Sequence, residues 1–107
     1  MDSPIGKSLD HWREEIDRLD RELVRLLARR TECAIEIGRL KARSGRQVYD
    51  PQREEEVMAN VQSSADGYLT AESARRIFER IVDETRRTER EHRRLLDANP
   101  SEAGGDS

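Results

Sequence analysis

Aromatic residues are almost missing from this sequence: one Trp, one Phe and two Tyr make 4% of 107 residues, against 40% Asp, Glu, Lys and Arg. A chain so poor in large apolar side chains cannot fill a thick core or a stack of sheets. Its composition points instead to helices carrying narrow apolar stripes. The same shortage removes the stacking platforms on which single-stranded RNA is read. Cations are in no surplus either, since 20 Lys and Arg face 23 Asp and Glu for a net charge of −3, which argues against nucleic acid or an anionic membrane as the main partner. With a single cysteine, Cys33, no internal disulfide can form. No apolar run approaches the roughly 20 residues that cross a bilayer, and the opening MDSPIGKSLDHW has no apolar signal-peptide core. The expectation is a soluble, cytoplasmic chain with no membrane or nucleic-acid partner.

Glycine and proline are sparse too, six and three, and fall mostly at residues 4–6, 45, 51, 67 and 100–105. Three stretches are left without a breaker, so the sequence predicts an all-α domain of three helices: a long first, a short second and a long third. The first runs from Ser8 as N-cap to about Arg43 and places Leu9, Trp12, Ile16, Leu19, Leu23, Leu26, Arg30 (a charged exception), Ala34, Ile37 and Leu40 three or four residues apart, with Gly38 its weak point. At 1.5 Å per residue such a helix is about 54 Å long, whereas a compact 100-residue domain has a radius of gyration of about 13 Å. One chain cannot cover it. The overhanging stripe therefore predicts an intertwined helical homodimer. SGRQVY ends this helix, with Gly45 suited to a left-handed cap. Asp50 then N-caps a second helix that has Pro51 in its first position, buries Val57, Met58 and Val61 and ends near Ser63. Thr70 caps the third, whose stripe of Ala74, Ile77, Phe78, Ile81, Val82 and Thr85 continues in charged form to about Asp97. This divides the chain into an N-terminal arm (1–7), a helical domain (8–97) and a small, polar tail (98–107) expected to be disordered.

The informative residues interrupt the apolar stripes. Arg30, Ala34, Ile37 and Lys41 are spaced four, three and four apart and share a helix face, which puts two cations on the core side about 16 Å apart. Asp50, Glu54, Val57 and Val61 share a face of the second helix, and Phe78, Ile81, Thr85 and Glu89 a face of the third. All three helices turn polar toward one region. Two readings are open. Arg30 and Lys41 meet Asp50, Glu54 and Glu89 as internal ion pairs, or the cluster is a site for a small dianion, with Arg and Lys gripping carboxylates and the acids accepting from a hydroxyl. Desolvating several charges costs several kcal/mol each, which favours a site over a purely structural cluster. Arg13 lies seventeen residues and about 25 Å from Arg30, so it reaches such a site only from a second chain and is otherwise a solvated surface residue. Arg53 sits at the third helical position of the second helix, where a cation opposes the helix dipole by about 0.3–1 kcal/mol. A role in the site would explain it.

Other chemistries find little support. His11 and His92 have no partners at metal-ligand spacing and no Ser–His–Asp arrangement, and no glycine-rich phosphate loop occurs. The basic doublets Arg29/Arg30, Arg75/Arg76, Arg86/Arg87 and Arg93/Arg94 are interleaved with acids and lack aromatics for stacking.

Over about residues 8–96 the chain resembles the all-helical chorismate mutases of the AroQ class, the small intertwined-dimer type. The resemblance rests on WREEIDRLDRELVRLLARR followed by AIEIGRLK, on VYDPQREEEV after the hinge, and on IFERIVDETRRTE in the third helix. It implies conversion of chorismate to prephenate in phenylalanine and tyrosine biosynthesis, a [3,3] rearrangement without cofactor, metal or covalent intermediate. Carried onto this sequence, Arg13 of the second chain and Arg30 grip the two carboxylates and Lys41 donates to the ether oxygen as the C–O bond breaks. Asp50 and Glu54 take the ring hydroxyl, Arg53 completes the pocket, and Thr85 makes a minor carboxylate contact. Glu89 stands where the family often has Gln as second donor to the ether oxygen. A carboxylate only accepts, so Glu89 must be protonated to help; burial and nearby anions favour that state and Lys41 opposes it. The rival readings are an isochorismate pyruvate lyase or aminodeoxychorismate mutase on the same scaffold, a non-catalytic helical interaction module, and a regulatory partner of another shikimate-pathway enzyme.

Overall fold

The computed structural model describes Gly6 and residues 8–98. Three helices follow one another, α1 (Leu9–Arg43), α2 (Pro51–Ser64) and α3 (Ala71–Ala98), and no strand occurs among the described residues. The all-α, three-helix fold is the one expected, with each boundary within a residue of its expected place. Apart from Gly6 and Ala98, the arm 1–7 and the tail 98–107 lie outside the described residues, and Ala98 closes α3.

Local chemistry sets the helix starts. Ser8 Oγ accepts from the His11 N–H at 3.1 Å, Asp50 Oδ1 from the Arg53 N–H at 3.2 Å, and Thr70 Oγ1 from the Ser73 N–H at 3.0 Å. Each satisfies a donor that the helix itself leaves unpaired, a contribution of about 1 kcal/mol. The end of α1 is equally explicit. Gly45 has φ +72°, the Arg46 N–H reaches Lys41 O at 2.7 Å, and the Gly45 N–H reaches Ala42 O at 3.2 Å. This is a Schellman motif, and it needs the left-handed residue that glycine supplies without strain.

The chain divides into two compact units, one ending at Glu32 and the other beginning at Cys33. In the first, residues 9–32 are a helical limb whose stripe is uncovered: Leu9, Trp12, Ile16, Leu19, Leu23 (55% exposed) and Leu26 (61%) all lie open. Its polar side is laced by Arg18, 2.9 Å from Glu15 and 3.0 Å from Glu22. In the second unit α2 packs on α3, and the buried residues are Ala34, Met58, Ala74 and Val82. The far end of α3 is tied to the end of α1 by Arg93, which donates to Arg46 O at 2.9 Å and to Gly38 O at 3.5 Å. Met58, at 5% exposure, is the largest of the buried side chains and fills the α2–α3 contact. Met58→Ala is expected to destabilise the domain by about 2–5 kcal/mol in urea unfolding, the range for emptying a packed core position. A change under about 0.5 kcal/mol, as at an exposed site, would contradict this packing.

Among the described residues no helix is long and apolar enough to cross a membrane, and no group of three or more His, Cys, Asp or Glu side chains is placed to hold a metal ion.

Candidate active site

Helix α1 ends in a turn that folds back over its own last residues, and this turn positions Lys41. The Lys41 ammonium donates to Val48 O at 3.3 Å and stands 3.8 Å from Asp50 Oδ2. Asp50 therefore serves two purposes with one carboxylate, one oxygen capping α2 and the other facing the lysine. Lys41 is held largely out of solvent by the residues that follow its helix, so its direction is fixed before any ligand arrives.

One turn into α2, Glu54 faces α3. Arg86 grips it with both arms of the guanidinium: Nε donates to Oε2 at 3.0 Å and Nη2 to Oε1 at 2.5 Å. The same guanidinium lies 5.2 Å from the centre of the Tyr49 ring, within cation–π range. Its hydrogen bond to Glu54 raises the pKa of Arg86 above the ordinary arginine value, outweighing desolvation, with the charge of Glu54 as a further cause. The cation is permanent. Stability from a raised pKa is present below the unfolded-state value and lost only at higher pH, so this pair stays intact across the whole physiological range.

On α3, Thr85 Oγ1 donates to Ile81 O at 2.8 Å, so its proton is used within the helix. Glu89 lies one turn further on, against α1: a β-carbon built on Gly38 would be 3.8 Å from Glu89 Oε2. Ile35, Gly38, Glu89, His92, Arg93 and Leu96 together line the crevice between the two helices. At that distance a methyl group at 38 would make ordinary van der Waals contact with the Glu89 carboxyl, so this approach places Glu89 against α1 without itself requiring glycine.

The second unit accordingly brings Lys41 and Asp50 together at the hinge, places Glu54 one turn from Asp50, and sets Glu89 over the last turns of α1. Arg53 is elsewhere. Its backbone N–H is spent on the Asp50 cap, and its guanidinium is 60% exposed and 3.3 Å from Glu56 Oε1. That i,i+3 pair offsets the dipole penalty locally, and an exposed pair of this kind is worth about 1 kcal/mol at most, weak enough for the side chain to swing away. Arg13 and Arg30 belong to the other unit, where Arg13 is exposed and Arg30 half-buried. A further cleft of about 360 Å³ between α2 and α3 is lined by Glu54, Glu55, Met58, Arg75, Glu79, Val82 and Asp83; its acidic lining has the wrong sign for an anion.

Sequence reasoning missed Arg86 and Tyr49. Arg86 is visible there only as half of a basic doublet, but it precedes Glu89 by three residues and so flanks it on one helix face, a spacing that marks it. Tyr49 carries no pattern of its own.

Comparison with known proteins points to one family. A family model described as chorismate mutase type II matches residues 12–90. Among solved structures, chorismate mutase (form II) from Thermus thermophilus superposes with a TM-score of 0.74 at 36% identity, covering 77% of this chain and 93% of that one. The Helicobacter pylori chorismate mutase, solved in complex with prephenate, gives a TM-score of 0.74 at 28% identity and covers 80% of this chain and 93% of that one. The bifunctional chorismate mutase/prephenate dehydratase of Neisseria gonorrhoeae is 37% identical over 90 residues, 84% of this chain. This chain spans only about a quarter, 24%, of that relative's length.

Proposed function

The chain belongs to the chorismate mutase type II family, and on that footing we propose that it rearranges chorismate to prephenate. The observation that carries the reading is the Lys41 ammonium, held between Val48 O and Asp50 at the end of α1. In the rearrangement the ether oxygen gains negative charge as its bond to carbon breaks. A donor already fixed in place stabilises that charge without reorganising, so it acts on the transition state more than on the substrate. The remaining task is positional, because a flexible dianion must be held in its compact reactive conformer. In the proposal Arg30, together with Arg13 of a second chain, binds the two carboxylates, Asp50 and Glu54 accept from the ring hydroxyl, Thr85 turns its hydroxyl from Ile81 O to a minor carboxylate contact, and Glu89 is second donor to the ether oxygen. Arg53 joins by leaving its exposed pairing with Glu56. The H. pylori relative solved with prephenate supports the choice of substrate class.

The proposal includes an intertwined homodimer. What supports it is the open stripe of residues 9–27, with Leu23 and Leu26 more than half exposed, and a second copy is the covering that also delivers Arg13. A cytoplasmic location is proposed as well, supported by a lone exposed thiol, Cys33, suited to a reducing compartment.

Incubation of the purified protein with chorismate, following its ultraviolet loss and identifying the product, tests the activity. Prephenate is expected; pyruvate release or an unchanged spectrum would overturn it. Glu89 provides a pH test. Only its acid form donates, and that form is lost as pH rises, so activity is expected to fall as pH rises through the Glu89 titration. Glu89→Gln, which donates at any pH, is expected to flatten the profile. An identical profile in the variant removes Glu89 from the donor role.

A further inference from the structure

Arg86 has no part in the reading above, yet it makes a two-armed bond to a residue that does. Its guanidinium spans two elements, gripping Glu54 on α2 while lying over Tyr49 in the hinge. It is 24% exposed and Glu54 27%, so the pair is half-buried rather than solvated. We propose that Arg86 is a positioning residue, clamping Glu54 and the 48–50 hinge in the geometry that receives the hydroxyl of the substrate. This rests on the reading of Glu54 as that acceptor.

Three features carry it. A glutamate side chain on its own samples several rotamers, and an acceptor that must be ordered on binding costs affinity. The two-armed bond from Arg86 orders it in advance, and because each carboxylate oxygen has two lone pairs, each keeps one free for a hydroxyl. The second feature is charge. Asp50 and Glu54 are both anions one turn apart, and a dianionic substrate would be repelled by them together. Lys41 offsets Asp50 at 3.8 Å, and Arg86 offsets Glu54. Asp83 also faces Arg86, at 3.8 Å, but is itself 60% exposed and correspondingly screened. The third is the hinge. Val48 accepts from Lys41, Tyr49 lies against Arg86, and Asp50 caps α2. Three consecutive residues thus each have a partner, and the middle one, itself 53% exposed, meets α3 through Arg86. Only arginine suits both tasks, since a lysine offers neither the planar fork nor the flat face.

Steady-state kinetics on Arg86→Met, Arg86→Lys, Glu54→Gln and the Arg86→Met/Glu54→Gln double variant test this, with circular dichroism to verify folding. Arg86→Met is expected to lower kcat/KM by about 10- to 100-fold, chiefly through KM, because the hydroxyl contact exists in ground and transition states alike. In the Glu54→Gln background the same change is expected to cost less than about threefold, since an amide offers one acceptor oxygen and no charge, and the two-armed grip by which Arg86 positions residue 54 is gone. Arg86→Lys keeps the charge and, if the methionine variant does not fold, carries the test alone; KM near that of wild type in either variant overturns the proposal. So does an equal loss in both backgrounds, which would mean that Arg86 acts independently of Glu54. A wild-type protein inert toward chorismate withdraws the activity and this inference together, whereas an active wild type with a silent Arg86→Met withdraws the inference alone.

Discussion

Lys41→Met is expected to lower kcat for chorismate rearrangement by about 10²–10³-fold while leaving KM within a few-fold, the signature of losing one fixed donor to a developing oxyanion. The split follows from timing. The ether oxygen is a weak acceptor in bound chorismate and becomes a strong one only as its bond breaks, so the ammonium contributes little to ground-state binding. Methionine keeps the length and apolar stem of lysine. The loss of charge leaves Asp50 with its other oxygen still accepting from the Arg53 N–H, so the start of α2 is expected to survive. Circular dichroism and thermal unfolding should therefore change little. A fall in kcat below tenfold would place the developing charge elsewhere, and a large rise in KM with kcat intact would make Lys41 a carboxylate ligand instead.

The second large effect is a gain. Arg13→Ala and Lys41→Met are each expected to be nearly inactive alone, and refolding them together is expected to restore about a quarter of wild-type activity. Random pairing makes half of the dimers mixed. In a mixed dimer one site takes Lys41 from the first chain and Arg13 from the second and is complete, while the other site lacks both. Mixing Arg30→Ala with Lys41→Met supplies the control, since both residues come from the same chain and no intact site can form. Recovery in the first mixture but not the second would establish both the dimer and the crossing of Arg13. Activity no greater than the sum of the parents in both mixtures, or full activity in Arg13→Ala alone, would remove Arg13 from the site.

Much of this architecture is legible in the residues. Ser8, Asp50 and Thr70 mark the three helix starts, and each is seen capping its helix. Gly45 ends α1 in the left-handed conformation expected of it. The stripe of α1 is too long for one chain to cover, and its members from Leu9 to Leu26 are indeed exposed in the single chain. The electrostatic wiring is less legible. Glu54 reads as an acceptor from its place on the inner face of α2, but nothing in DPQREEE announces that its partner is Arg86, 32 residues away. Arg53 enters the pocket through its dipole cost and the resemblance, and its guanidinium lies exposed on α2 with Glu56.

The sequence by itself determined the helices and their ends, because caps, breakers and three-to-four-residue apolar spacing act within one or two turns and need no distant partner. The tertiary structure alone decided which charges meet. Whether Lys41 turns back to Val48 and Asp50, whether Arg86 bridges Glu54 and Tyr49, and whether Glu89 rests over Gly38 depend on how α2 and α3 pack and on where the hinge lets the chain return. A charged side chain reaches several ångströms in many directions, and in a chain that is 40% charged most have more than one possible partner. Packing narrows those choices to one or two.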